Sequence, residues 1–432
     1  MKRLKPLSIL IALIVFLSGC GAQSAATHAG PLPSDDGAKE ITIEVYDIIN
    51  FYENAALKFE EQTGIKVNVI NDYSAAKNID HQDYAYIDRI SGELMAGKGA
   101  DIYANINLDF SAIGKQGYLC NLEDWIAGDP DFSDEKYYMN IWKAGFDGGN
   151  VYSVPLFMMF RALGSDVDIP ELEGKNLNWE EFFEAAKGIN RNGVLIDLYD
   201  SDIFLRRFNE RYGRLIEEKN KTEIINTSEL TELLKQCKAW GEQGLCIQSN
   251  AYNDANIFNN SFIKEYYSGI EVLANVRFTD NSSGLSPYWY DIPTDSGIYD
   301  KANKLLTTDH ICINTASPHK GTAWKFIKFL LSKEMQLTGI STPVNREAAA
   351  EYIKDSLTSS MGDSAQDEKV EQVIKEAEAI LDALRDTPNK YRLTRIEQIL
   401  SKEYERYFNS EISAEEAAKN ITAAVELYMK EQ

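Results

Sequence analysis

The chain has 432 residues, 44% of them apolar and 11% aromatic, which is enough to build packed cores and excludes disorder along its length. Its formal net charge is −23, more negative still once a basic leader is removed; such a surface repels phosphate backbones and anionic lipid, so nucleic acid is excluded as a partner. The charge otherwise serves solubility and names no ligand.

The first residues read as a targeting signal. Lys2, Arg3 and Lys5 precede an apolar run over residues 7–17, broken only by Ser8. That run is shorter than the ~20 residues a permanent membrane helix needs. It ends in Leu17-Ser18-Gly19-Cys20, which resembles a bacterial lipobox. The pattern predicts a lipoprotein signal peptide over 1–19, with the Cys20 thiol carrying a diacylglycerol and the mature chain held on the extracytoplasmic face of the cell membrane. Residues 20–40 are small, polar and turn-forming, with Pro31, Pro33 and Gly37, and read as a flexible tether. No later stretch is apolar for long enough to cross a bilayer.

A strand is predicted at 41–45, a helix at 51–62 ended by Thr63-Gly64, a strand at 65–70, a helix at 86–96 and a strand at 101–104. This alternation predicts an α/β fold with a mostly parallel sheet. Asn178 with Glu181 and Ser413 with Glu416 have the spacing of capping boxes, and Ser317-Pro318 reads as an N-cap before a helix through Leu331. The stretch 356–368 is polar and is expected to be an exposed loop. Beyond Cys20 there are Cys120, Cys237, Cys246 and Cys312, with no CxxC pair; Cys237 and Cys246 are either a bridge across the turn at 241–244 or buried packing thiols.

Six patches in order resemble the family 1 extracellular solute-binding proteins, which serve ABC importers. They are FEEQTGIKV at 59–67, ELMAGKGADIY at 93–103, GGNVYSVP at 148–155, NWEEF at 178–182, AWKFIKFL at 323–330 with Gln336 and PVN at 343–345, and the helix at 415–428. The resemblance implies a periplasmic-binding-protein-like fold of two α/β lobes joined by crossing strands, with lobe I at 41–153 plus 289–342 and lobe II at 154–288 plus 343–432. A small polar ligand, expected to be a mono- or oligosaccharide, would bind between the lobes at the carboxyl ends of the strands and be passed to permease subunits. No cofactor and no metal are implied, and a monomer is expected.

A sugar site needs aromatic faces for the ring and amide, carboxylate or guanidinium groups for the hydroxyls. Asp47 and Asn50 follow the first strand, where each is either a helix cap or a ligand contact. Asn105, Asn107 and Asp109 follow the third strand and face the ligand by resemblance; relatives that bind maltose carry a tryptophan where Asn105 falls, which argues against maltodextrin. Met159 and Arg161 lie near the hinge in a Phe-Met-Met-Phe run that also suits a core. Asn275, Arg277 and Trp289 come from the second half, Trp289 being the tryptophan expected under a sugar ring, and Arg346 follows the third crossover. Trp179 and Trp324 lie in helical patterns and are expected to pack.

Three other functions compete with this one. An enzyme would need an acid–base pair or a GxSxG or HExxH motif, and the spacing offers none; Gly92 to Lys98 imitates a phosphate loop but lacks the Ser or Thr that binds magnesium. A ferric receptor would use paired tyrosines such as Tyr137-Tyr138 or Tyr266-Tyr267, which sit in aromatic surroundings on expected helices and suit packing better. A lipoprotein presenting its ligand to a sensor kinase would share every feature above.

Overall fold

The computed structural model describes residues 32–72, 85–104, 108–144, 149–189, 193–217, 225–251, 261–268, 288–295, 305–361, 367–383 and 394–431. The alternating, β-branched sequence EITIEV forms β1 (Glu40–Val45) and buries Ile41, Ile43 and Val45. Helix α1 (Phe51–Thr63) lays Phe51, Tyr52, Ala55, Ala56 and Phe59 against the sheet at helical spacing. It stops at Gly64, whose φ of 70° suits glycine and whose N–H donates to the Glu60 carbonyl. β2 (Lys66–Asn71), α2 (Ala85–Met95) and β3 (Ile102–Ala104) follow, and β1 pairs in parallel with both β2 and β3. The predicted alternation is present, with ends moved by about a residue.

Five more strands join this sheet: β4 (Val154–Ser165), β5 (Lys264–Ser268), β6 (Tyr288–Tyr290), β7 (Leu305–Ile313) and β8 (Thr342–Pro343). The order is β2-β1-β3-β7-β4-β5, with β6 and β8 also paired to β4. At about 3.3 Å per residue β4 runs ~40 Å, and it changes core on the way. Residues through Ala162 pack in one hydrophobic cluster and Leu163 begins another. β7 returns antiparallel beside it, pairing with β4 over Leu305–Ile311 and with β3 over Ile311–Ile313. Two lobes therefore share one sheet, joined by β4 and β7.

The later helices of eight residues or more sort between the two cores. Helices α3 (Trp179–Ala186), α4 (Asp200–Phe208) and α5 (Thr227–Glu242) pack in lobe II. The chain then returns to lobe I, where α6 (Lys320–Leu330), α7 (Arg346–Met361) and α8 (Asp367–Ala383) join α1 and its strands. It ends in lobe II with α9 (Thr394–Phe408) and α10 (Ala414–Glu431). Trp179 and Trp324 are buried in the two cores as expected. Asn178 makes both halves of its capping box, accepting from Glu181 N–H at 2.9 Å while its own N–H donates to the Glu181 carboxylate at 3.0 Å. Ser413 accepts from Glu416 N–H at 3.1 Å.

Several boundaries differ from the sequence reading. The stretch 343–432, expected wholly in lobe II, is divided: α7 and α8 bury Ile353, Leu357, Ala377 and Leu381 in the lobe I core, and only α9 and α10 reach lobe II. Residues 288–295, expected in lobe I from Trp289 onward, pack with lobe II through Tyr290 and Ile292. The first crossing lies at Ala162–Leu163 and not at 153–154. Ser317 is not the N-cap of α6, because the helix starts after His319; the Ser317 oxygen accepts from the His319 N–H at 3.0 Å while its hydroxyl donates to Asp101 at 2.5 Å. The expected loop at 356–368 is helical at both ends, through Met361 and from Asp367. Tyr137 and Tyr138 are buried ahead of a short helix, and Tyr266 and Tyr267 lie in β5, so neither pair is helical. Cys237 and Cys246 are free buried thiols, and burial pushes Cys237 up to about 12.

Candidate functional site

In lobe I the carboxyl ends of β1, β2 and β3 point toward the stretch where β4 and β7 cross between cores. In lobe II, β5 ends opposite Phe160 at the same level. The segments at Ile196 and Tyr199 run parallel to Ile263 and Ile247, so the Tyr199 end also faces the hinge. The cleft therefore lies where strand ends of both lobes meet, with β4 and β7 as its floor.

Asp47 leaves β1 into this space, yet it is buried and occupied. Its carboxylate accepts from Ile49 N–H at 2.9 Å and Tyr52 N–H at 3.1 Å, and its main chain is held by the Asn71 side chain. Asp47 thus shapes the turn into α1. Asn50 stands at the N-cap with φ 56°, a left-handed conformation that asparagine tolerates, and makes no side-chain cap; its side chain is exposed. Asp109 caps the short helix Phe110–Lys115 through Ala112 N–H at 2.9 Å. Asn105, Asn107, Asn275 and Arg277 lie outside the described residues, and Trp289 is described by its backbone, opposite Gly164 in β6.

Met159 and Arg161 are the half-buried residues in a strand otherwise buried from Val154 to Phe160 and beyond. Two residues apart, they share one face, with Leu306 opposite Met159 and Tyr267 opposite Arg161. Arg161 lies close enough to oppose the rise of Glu210, which burial pushes up to about 7 while the Asp295 N–H donates to it at 2.6 Å. Glu210 sits in a π-helical turn, Asn209–Gly213, directly after α4. Arg346 is engaged elsewhere: its guanidinium lies 4.2 Å over the Tyr138 ring, pairs with Asp382 at 2.5 Å and donates to the Tyr137 carbonyl, tying α7 to α8.

The structure adds residues that sequence reasoning did not single out. Tyr46 stacks on Tyr86 with ring centroids 5.3 Å apart, and Phe110 stacks on His310 at 5.8 Å, giving lobe I and the hinge aromatic surfaces. His310 is bonded to Ser153 and Thr307 through its two ring nitrogens, and burial pulls it down to about 4, so it is neutral at pH 7. Its neighbour Asp309 has φ 52° and leaves the β4–β7 ladder between Pro155↔His310 and Phe157↔Thr308. Opposite it, the Leu156 carbonyl turns to Gln336 Nε2 at 2.8 Å. Burial pushes Asp309 up to about 6, with the Thr308 hydroxyl opposing and Asp47 adding to the rise. The Tyr52 hydroxyl is buried beside these two carboxylates without a hydrogen-bond partner among the described residues.

On the lobe II side, Asp197-Leu-Tyr-Asp-Ser-Asp202 runs into α4. Asp200 accepts from Ser249 and Ser201 N–H, both at 2.9 Å, and from the Ser249 hydroxyl. Arg206 forms a bidentate pair with Glu265 at 2.7 and 2.7 Å, and Asp197 accepts from Glu265 N–H at 2.7 Å. Burial pushes Asp197 up to about 6, with the Glu265 N–H opposing the rise. The readable signal was three aspartates spaced across a helix start, Asp197 before it and Asp200 and Asp202 in its first turn. Among the described residues no three His, Cys, Asp or Glu side chains gather as a metal site, and no helix is long and apolar enough to cross a membrane.

Solved structures share this architecture. The sugar-binding protein MalE of Xanthomonas citri matches with a TM-score of 0.59 at 15% identity, over 91% of this chain and 98% of that one. The ABC substrate-binding protein Lmo0181 of Listeria monocytogenes, solved with cycloalternan, matches with 0.59 at 16%, over 91% and 99%. The GacH receptor of Streptomyces glaucescens, solved unliganded and with acarbose, matches with 0.57 at 17%, over 91% and 99%. At these identities the likeness establishes the fold. No curated protein sequence matches the chain. The sequence profile described as bacterial extracellular solute-binding protein matches residues 54–359, most of the chain and parts of both lobes, and the chain therefore belongs to that family.

Proposed function

We propose that this protein is the lipid-anchored solute-capturing subunit of a bacterial ABC importer, that it holds a mono- or oligosaccharide between its lobes, and that it delivers this ligand to membrane permease subunits without altering it. One observation carries the reading: strand ends from both lobes converge on β4 and β7, so a solute there gains contacts from both sides only when the lobes shut. Stacked rings at Tyr46–Tyr86 and Phe110–His310, the latter next in sequence to the Asp109 and Asp309 carboxylates, suit a ring with an apolar face and polar rim. The sugar-binding MalE and the cycloalternan and acarbose complexes among the structural relatives point the same way. Asn105, Asn107, Met159, Arg161, Asn275, Arg277 and Trp289 are the proposed contacts, with Asp47, Asn50 and Asp109 shaping the turns that line the cleft and Arg346 holding α7 to α8, and Cys20 is the proposed lipid attachment point.

A thermal-shift screen against a sugar library tests this, because a ligand at 100 times its Kd adds ~2.7 kcal/mol to stability. The best hit is expected to lose its shift in Trp289→Ala and Asn107→Ala, with the unliganded melting point nearly unchanged. Normal binding by both variants would reject the assigned contacts, and a product released from the hit would reject the binding role.

A further inference from the structure

The segment expected to be loose tether up to residue 40 is fastened before it reaches β1. Asp36 accepts from Thr322 N–H at 3.0 Å and from the Thr322 hydroxyl at 2.6 Å. Asp35 pairs with Lys325 at 2.7 Å, one turn along the same helix. Asp35 and Asp36 also bond the Gly37 and Ala38 N–H groups, folding the segment into a tight turn. The first N–H groups of a helix have no partner inside it, and His319 at the N-cap of α6 offers no side-chain bond. Asp36 supplies that partner from outside the helix, a carboxylate at the positive end of the helix dipole. Gly321 completes the fit, since a Cβ there would fall on the Ser34 carbonyl oxygen.

The place of the fastening matters. The α6 start lies at the amino ends of the lobe I strands: the Ser317 hydroxyl and the Thr42 N–H both donate to Asp101, just ahead of β3, and the Asn314 side-chain amide donates to the Lys98 and Ala100 carbonyls. The cleft lies at the opposite, carboxyl ends. We propose that residues 34–38 are a clamp that fixes the N-terminal leader to the pole of lobe I farthest from the cleft, so that lobe I alone is held to the membrane and lobe II swings free. Its membrane side rests on the lipid-anchor reading of Cys20. From Cys20 to Ser34 the chain spans at most about 50 Å, whereas an unclamped leader reaching to β1 would add about 20 Å. The two carboxylates are held below the usual range, Asp35 by the Lys325 hydrogen bond and Asp36 by Thr322 bonds that outweigh its partial burial.

The test uses the full mature chain recovered from membranes, as wild type, Asp36→Ala and Gly321→Val; the first removes the acceptor and the second expels the segment without touching it. The Thr322 amide is expected to exchange hydrogen at least tenfold faster in both variants, and trypsin to cut after Lys39 at least tenfold faster. Equal protection and equal cleavage in all three proteins would overturn the clamp. Intact mass of the wild type reports separately on the anchor: a Cys20 without acyl chains would reject the anchor and the membrane side of this proposal, while the exchange and cleavage rates still decide whether the clamp exists.

Discussion

Asp309 is a non-glycine residue with left-handed backbone in a strand that joins the lobes, and it is half-buried near Asp47. A carboxylate whose pKa is raised on folding binds more protons folded than unfolded, so its contribution to stability is lost as pH climbs from the unfolded value near 4 to about 6. Asn keeps the shape and tolerates the same φ. Asp309→Asn is therefore expected to raise the Tm at pH 8 and to change it little at pH 4; a shift equal at both values would show that the carboxyl is not buried in solution. Arg206 and Glu265 make a second residue-scale case, with side chains 19% and 5% exposed. Arg206→Met would strand Glu265 beside Asp197 and Asp202, at a cost of about 3 kcal/mol. Adding Glu265→Gln should restore part of that loss in denaturant melts, and a single-variant cost under about 1 kcal/mol would contradict the buried pair.

Element ends show which local signals translate directly into structure. Asn178 and Glu181 are three residues apart with nothing competing for either, and they form the box that spacing predicts. Asn178→Ala should cost about 1 kcal/mol in a urea midpoint series; no change would mean that α3 is held by Trp179, Phe182 and Phe183 alone. Ser317 had an equally good local signal, but its oxygen accepts from the His319 N–H ahead of the helix, its hydroxyl ties to Asp101 more than 200 residues away in sequence, and α6 begins three residues later. The same competition decided the cleft residues. Asp47 and Asp109 carry the oxygen chemistry a ligand would need, and both direct it to backbone N–H groups at helix starts. Tyr46 and His310 were legible as residue types but had no reason to be chosen until the sheet placed them at the strand ends beside β4 and β7.

At the scale of the whole molecule, the proposed capture is expected to close the two lobes as rigid bodies about β4 and β7. A captured solute is expected to shrink the radius of gyration in solution scattering, and scattering that stays unchanged with a ligand proven by thermal shift would contradict closure. The change should be insensitive to Asp36→Ala, because the clamp acts on lobe I alone and lies at its far pole.

The sequence by itself determined the α/β alternation, the starts of α1, α2, α3 and α10, the family and the packing of Trp179 and Trp324, because each rests on periodicity or on a motif contained in a short window. Only the tertiary structure decided which lobe owns α7 and α8, where the crossing falls, and that the leader is fastened to α6. Those outcomes depend on contacts between segments far apart in the chain: Leu381 joins the core of β1 only after the sheet has closed, and Asp36 meets Thr322 only because β7 delivers α6 to the amino pole of lobe I.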